Sequence, residues 1–155
     1  MKKKVVLGVV LAAVLTTGTT FAEFGIGVQG GGGALGGGGG LNLAFSGVFL
    51  YIDGFSAWDG GLHLSGALDF IDLYGTSLVN TLDFYIRFGI GAGLWGFNDE
   101  LRLAASARLP IGLSWRPISL LEIFLQLVPE VGARILPPAY LFWNVGANLG
   151  LRLWF

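Results

Sequence analysis

The last seventy-five residues alternate between apolar and polar side chains in runs far longer than an ordinary β-strand. From Tyr140 to Phe155 the odd positions are Leu141, Trp143, Val145, Ala147, Leu149, Leu151, Leu153 and Phe155, while every polar group falls on the even positions. Leu121 to Ile135 repeats this, with Glu122, Gln126, Glu130 and Arg134 opposite a wholly apolar face. In Glu100 to Arg116 the charges Glu100, Arg102, Arg108 and Arg116 share one face, and in Thr81 to Trp95 Asp83, Tyr85 and Arg87 do so. Period-two alternation places alternate residues on opposite faces of a strand. Strands of soluble sandwiches usually hold about five or six residues, whereas a tilted bilayer-spanning strand needs roughly 9–11. A closed barrel satisfies the pattern: leucines meet lipid, polar groups meet one another, and no backbone edge is left unpaired in hydrocarbon.

Composition agrees. Only 12% of residues are charged, 54% are hydrophobic and mean hydropathy is +0.71, against about 25% charged in typical soluble domains. All three lysines lie at Lys2–Lys4, and the six arginines that follow face ten acids. That excludes the basic stripe a nucleic-acid binder requires. With no cysteine and one histidine, there is no disulfide framework, thiol chemistry or His-rich metal site, and no cofactor is expected.

Met1 to Ala22 reads as an export signal: Lys2–Lys4, an apolar core from Val5 to Leu15, and small residues before Glu23. Residues 23–155 then form one domain. No charge-free stretch reads as a spanning helix, because Phe24 to Ile52 is crowded with glycine and Ile135 to Leu151 begins with Pro137-Pro138.

Eight strands are expected, the smallest even number that closes a single-chain barrel of this kind. Four weaker ones precede the four clear ones: Phe24 to Gly30, Gly39 to Phe45, Val48 to Gly54 and Gly60 to Phe70. With the N-terminus periplasmic, the periplasmic turns are Ser46-Gly47, Asp72 to Val79 and Pro117 to Ser119. The external loops, all short, are Gly31 to Gly38, Phe55 to Asp59, Phe97 to Asp99 and Leu136 to Ala139. Trp143 near the outer rim, and Trp115 and Phe155 near the inner one, face lipid as an aromatic girdle. The fold class is therefore an all-β, antiparallel, up-and-down transmembrane barrel.

Simple hairpin pairing sets Arg116 opposite Glu122, Arg108 opposite Glu130, Glu122 opposite Arg152, Gln126 opposite Asn148 and Glu130 opposite Asn144. Two inward clusters follow: a central one of Arg87, Arg108 and Glu130, and a periplasmic-side one of Arg116, Glu122 and Arg152, with Asp83 and Asp69 free to join either. Arginine keeps its charge and forks onto carboxylates, so these clusters read as a structural plug, or else as the lining of a narrow conduit. The inward glycines Gly89, Gly91, Gly93 and Gly150 leave room for Arg108, Tyr85 and Phe124, or leave part of the lumen vacant.

Asn148, Gly150, Leu153 and Phe155 resemble the C-terminal assembly signal of bacterial outer-membrane proteins, which implies the barrel-insertion machinery as a partner. More broadly, Arg108 to Pro117 (RLPIGLSWRP), Leu121 to Pro129 (LEIFLQLVP) and Gly146 to Phe155 (GANLGLRLWF) resemble the small eight-stranded barrels of the OmpA/OmpX/OmpW type, most nearly the short-looped spirochaete barrels of unknown function. The resemblance implies an exported, outer-membrane, non-enzymatic protein surrounded by lipid, and an uninterrupted lipid face favours a monomer. Its expected role is structural, in envelope integrity, with an OmpW-like conduit for small or hydrophobic solutes as the alternative.

Three further motifs carry less. Gly25-Ile26-Gly27 lacks the helix and βαβ context of a dinucleotide fingerprint. His63-x-Ser65 is similar to the His-x-Ser pair of outer-membrane lipid A deacylases, but alternation aims both residues inward, and Ser77 stands where that family's acid would be. Pro129 with Pro137-Pro138 marks either a locally weakened ladder, suited to a lateral opening, or a rigid tight loop.

Overall fold

The computed structural model describes residues 23–33, 36–54, 62–97, 100–135 and 139–155. The expected export signal, the loop from Phe55 to Asp59, Asn98-Asp99 and Pro137-Pro138 lie outside them. So does the side chain of His63.

The described residues form antiparallel strands β1 (Phe24–Gly33), β2 (Gly36–Phe45), β3 (Val48–Gly54), β4 (Leu62–Val79), β5 (Leu82–Phe97), β6 (Glu100–Arg108), β7 (Ile111–Ile118), β8 (Leu121–Arg134) and β9 (Tyr140–Trp154). Strands β6 and β7 are two halves of one barrel strand: both pair with β5 on one side and β8 on the other. The sheet closes through β1–β9 and β4–β5, so eight strands enclose the lumen. At the seam the Phe155 N–H donates to the Phe24 carbonyl at 2.8 Å, and the Phe24 N–H returns to Phe155 at 3.2 Å.

The ladder fixes the barrel's shape. Passing from partner to partner, Leu153 leads to Ile26, Leu43, Leu50, Leu68, Ile90, Ala107, Val131 and finally Trp143 on the starting strand. One circuit thus advances 153 − 143 = 10 residues. With about 3.3 Å per residue and 4.8 Å between strands, a ten-residue stagger over eight strands tilts each by roughly 40°. The climb from Leu153 to Trp143 is then about 25 Å along the axis, the height of the apolar band of such barrels. Leu153, Trp143, Trp115 and Phe155 are all exposed on the outer surface, Trp143 at 80% and Phe155 at 71%.

Alternation holds in the described strands: Val28, Leu41, Ile52, Leu64, Ile90, Leu125 and Leu149 are exposed, while Gln29, Asn42, Tyr51, Asp69, Phe124 and Arg152 are buried. Where the expected boundaries fail, the reasons are local. Asp72 to Val79 is strand, not turn; β4 continues to Val79, and the turn is Asn80-Thr81. Three register shifts, at 69/71, 72/74 and 77/79, scramble the alternation there, because each bulge inserts an unpaired residue. Gly31–Gly33 and Gly36–Gly38 also pair as strand, since a ladder needs only backbone groups. Pro117 lies within β7, and that hairpin turns at Ser119-Leu120. Ser46-Gly47 is a tight turn as expected, with φ of 48° and 83°, the left-handed pair that two-residue hairpins favour.

Pro129 does not break the ladder to β9, where Pro129 faces Val145 in unbroken register. The interruption falls on the other side, at Leu109-Pro110 between β6 and β7. Two prolines meet there without donors, and the Leu109 N–H still reaches the Pro129 carbonyl at 2.9 Å.

Inward glycines are filled by neighbouring rings. A Cβ at Gly150 would collide with the Phe124 ring, and one at Gly112 would lie 2.5 Å from the Tyr85 hydroxyl. Overpacking of this kind costs about 1–3 kcal/mol. Gly150→Val should therefore lower the urea midpoint of the refolded barrel in detergent. Gly75→Val, at a position with nothing within 4 Å, should stay within about 0.5 kcal/mol. Equal behaviour of the two variants would contradict this packing.

Candidate functional site: the luminal charge and ring stack

The half of the lumen nearest the termini is packed around Arg152, which is 1% exposed. Its Nη1 donates to Glu122 Oε2 at 2.8 Å and its Nε to Asn42 Oδ1 at 2.8 Å. Glu122, 2% exposed, also accepts from Trp154 Nε1 at 2.7 Å and from Ser114 Oγ at 2.6 Å. One carboxylate thus gathers donors from β7 and β9, which is the condition for a buried ion pair to be tolerated. The expected Glu122–Arg152 pairing is present, as are the Gln126–Asn148, Glu130–Asn144 and Arg108–Glu130 registers.

Asp69, left free by the sequence to join either cluster, falls with the central one, where it forms an ion pair with Arg108 at 3.0 Å. Register places Glu130 across the ladder from Arg108 on one side, and on the other side Gly89 stands between Arg108 and Asp69, so the two side chains meet over a residue that projects nothing between them. Arg87 binds Asp72 at 2.8 Å, a residue expected in a turn. Arg116 reaches Glu23 at 3.5 Å. The irregularity between Trp115 and Ile118 displaces Arg116 from simple opposition to Glu122, whose partner on that strand is Ser114. Asp83 accepts from Ser77 at 2.5 Å and joins neither cluster.

Between the charges sit aromatic rings. Arg87 lies 3.6 Å from the Phe49 centroid and 4.0 Å from that of Tyr85. Arg152 lies 4.9 Å from Phe49 and from Phe124, and Arg116 lies 4.5 Å over Trp154. Tyr51 stands edge-on to Phe124 and 5.1 Å from the Arg108 guanidinium. Guanidinium planes and ring faces attract most when desolvated, so the stack joins Arg116, Trp154, Arg152, Phe49 and Arg87 into a continuous filling. Tyr85 Oη donates to Gln126 Oε1 at 3.1 Å beside it. Phe49 and Tyr51 were not singled out from the sequence. The signal was their parity, opposite to the lipid-facing Val48, Leu50 and Ile52.

Of the C-terminal signal residues, Asn148 and Gly150 face inward, whereas Leu153 and Phe155 are exposed outward. Among the described residues no group of three or more His, Asp or Glu could hold a metal. Ser65 lies along the lumen wall, while the His63 side chain of the weighed His-x-Ser pair is outside the described residues.

Breaking the buried pair should be costly. Glu122→Leu strands a buried guanidinium, and such losses run about 3–5 kcal/mol. Glu122→Leu with Arg152→Met should recover most of that loss in urea unfolding from detergent micelles. A double variant as unstable as the single would count against the pair's being the source.

No family model matches the sequence, and no curated protein matches it. In shape the chain is similar to Neisserial surface protein A (NspA), at 9% identity, with 89% of this chain and 99% of that chain covered and a TM-score of 0.53. Ail, the attachment invasion locus protein of Yersinia pestis, solved in complex with the heparin analogue sucrose octasulfate, is 16% identical over 86% of this chain and 97% of that one, with a TM-score of 0.46. The closed eight-strand architecture and the likeness to NspA agree. This chain has the fold of the small eight-stranded outer-membrane β-barrels.

Proposed function

We propose that the exported chain is an integral outer-membrane barrel with a sealed lumen, non-enzymatic, serving the structure and integrity of the envelope. The observation that carries this reading is the filling itself. Arg152, Glu122, Phe124, Gln126, Asn42, Tyr51 and Asp69 are all no more than 2% exposed, and they come from five strands around the lumen. An eight-stranded barrel is just wide enough for side chains to fill, and here they do so with ion pairs and rings. The bulky lipid face supports a monomer surrounded by lipid. The terminal Asn148, Gly150, Leu153 and Phe155 pattern supports insertion by the barrel-assembly machinery after removal of residues 1–22.

The competing conduit would need the Arg152 and Arg108 layers to part. In a planar bilayer the refolded barrel, residues 23–155, should show no discrete openings under any applied voltage. Arg108→Ala should reduce stability without producing them. Reproducible openings in the wild type that Arg108→Ala enlarges would overturn the sealed reading in favour of a channel. The envelope role is tested in cells: loss of the protein should raise sensitivity to detergents and large antibiotics. Unchanged sensitivity would remove it.

A further inference from the structure

The barrel wall has a step at the rim where the termini lie. Strand β3 starts at Val48, and its pairing with β4 ends where Phe49 faces Asp69. Strand β4 runs on to Val79, held on one side by β5 as far as the Val79–Leu82 rung. Among the described residues no strand pairs with its other side beyond Asp69. The Ser46-Gly47 turn stands at the head of this edge, where a Cβ on Gly47 would lie 3.8 Å from Asp72 Oδ2. Below it, Tyr74 to Val79 has unpaired backbone donors and acceptors along its outer side.

The ladder also sets the height of this edge. Leu68 stands half a circuit from Leu153, about 12 Å higher, and the four paired steps from Leu68 down to Tyr74 recover about 10 Å of that. Tyr74 is thus level with the lower end of the apolar band. The four steps on to Val79 descend about another 10 Å, out of hydrocarbon and into reach of water. Natural edges are blunted by charge, proline or bulges. No charge or proline stands between Asp72 and Asp83, and the bulges at 72/74 and 77/79 bracket a run, Tyr74–Ser77, in unbroken register. That run is exposed throughout. A Cβ at Gly75 would meet nothing within 4 Å, so a second backbone has room to approach.

Unpaired backbone groups at strand spacing call for another strand. A second copy cannot supply it. Copies inserted in the same direction are related by rotation about the membrane normal, so two β4 strands, each tilted roughly 40°, would cross at about 80°. Neighbours in a sheet differ by only about 20–25°. The occupant is therefore a segment free to lie along the edge. Asp72 sets its charge: Oδ1 takes Arg87 at 2.8 Å, yet the side chain stays 55% exposed, with Oδ2 toward the Ser46-Gly47 side.

We propose that the free edge of β4, Tyr74–Val79, takes up an extended segment of a periplasmic polypeptide as an added antiparallel strand. The segment is apolar at alternate residues and basic at the end that meets Asp72. The same run already holds such a strand on its other side, where Leu82, Phe84 and Ile86 alternate with polar residues and Arg87 faces Asp72. The proposal rests on the outer-membrane reading for its periplasmic partner but not on the sealed lumen, and peptide binding and conductance are measured separately.

The probe is a hexapeptide with the sequence of Leu82–Arg87, blocked at both ends and titrated against the barrel, residues 23–155, in lipid nanodiscs. The amides of Tyr74 to Val79 should shift saturably in NMR spectra and gain protection from hydrogen exchange. The same peptide N-methylated throughout keeps its side chains but has no N–H to donate, and should bind at least tenfold more weakly. So should the peptide with its arginine replaced by glutamate. These comparisons use the unaltered barrel and do not depend on a variant's folding. Gly75→Lys sets on the edge the residue that natural edges use against pairing and should weaken binding at least tenfold. Gly54→Lys, at a glycine equally free of neighbours at the other end of β3, should leave binding unchanged. No saturable shift, equal binding of either altered peptide, or undiminished binding by a folded Gly75→Lys would each overturn the proposal.

Discussion

Closure of the backbone ladder is the constraint on which the rest depends. In hydrocarbon an unpaired N–H or C=O has no water to turn to, so the sheet must close on itself. Eight strands with a ten-residue stagger fix the radius. That radius admits side chains but no wide aqueous channel. Every inward residue is consequently brought against residues from across the lumen as well as from its own neighbours. The contact of Tyr51 on β3 with Phe124 on β8 is of this transverse kind, whereas Arg108–Asp69 and Arg152–Asn42 reach along the wall over Gly89 and Gly27.

Filling so narrow a space with charge is feasible because the charges are arginines. A guanidinium forks onto a carboxylate at its edge and presents its faces to rings, so Arg152 binds Glu122 and Asn42 while lying against Phe49, Phe124 and Trp154. A lysine ammonium offers no such faces, and none follows Lys4 in the chain. Glycine completes the arrangement at close approaches. Gly150 and Gly112 yield their side-chain volume to Phe124 and Tyr85, so the rings lie flat against the wall rather than crowding the axis. Where glycines instead pair with glycines, in β1 and β2, the wall is carried by backbone groups alone.

The two halves of the lumen thus differ for a compositional reason. Near the termini, inward positions carry rings and arginines in a dry, interlocked stack. Farther along, the inward positions of β1 and β2 are glycines and the facing strands offer Asp53, Glu130 and Asn148, which leaves polar space above the Arg108 layer. The Leu109-Pro110 interruption lies at the level where these regimes meet. Its missing donors are bridged by the Leu109 N–H and by an Arg87 N–H bond of 2.8 Å to the Pro110 carbonyl, so the wall remains continuous there.

The one-dimensional pattern determined which residues face lipid and which face inward, the strand count, and the hairpin register that pairs Glu122 with Arg152. Each of these follows from a period of two and a short turn. Two parts of the pattern were not legible. At Asp72 to Val79 three bulges break the alternation, so a strand reads as a turn; Gly31–Gly33 and Gly36–Gly38 have no side chains to alternate, so a ladder reads as a loop. Which acid meets Arg108, and how Asp72 comes opposite Arg87, depended on the β4–β5 register, which three bulges shift and which sets Asp69 beside Gly89, the partner of Arg108. The stagger of the closed barrel decided the transverse contacts, such as that of Tyr51 with Phe124. Local alternation specifies a face, but only closure at a particular stagger specifies what lies opposite it.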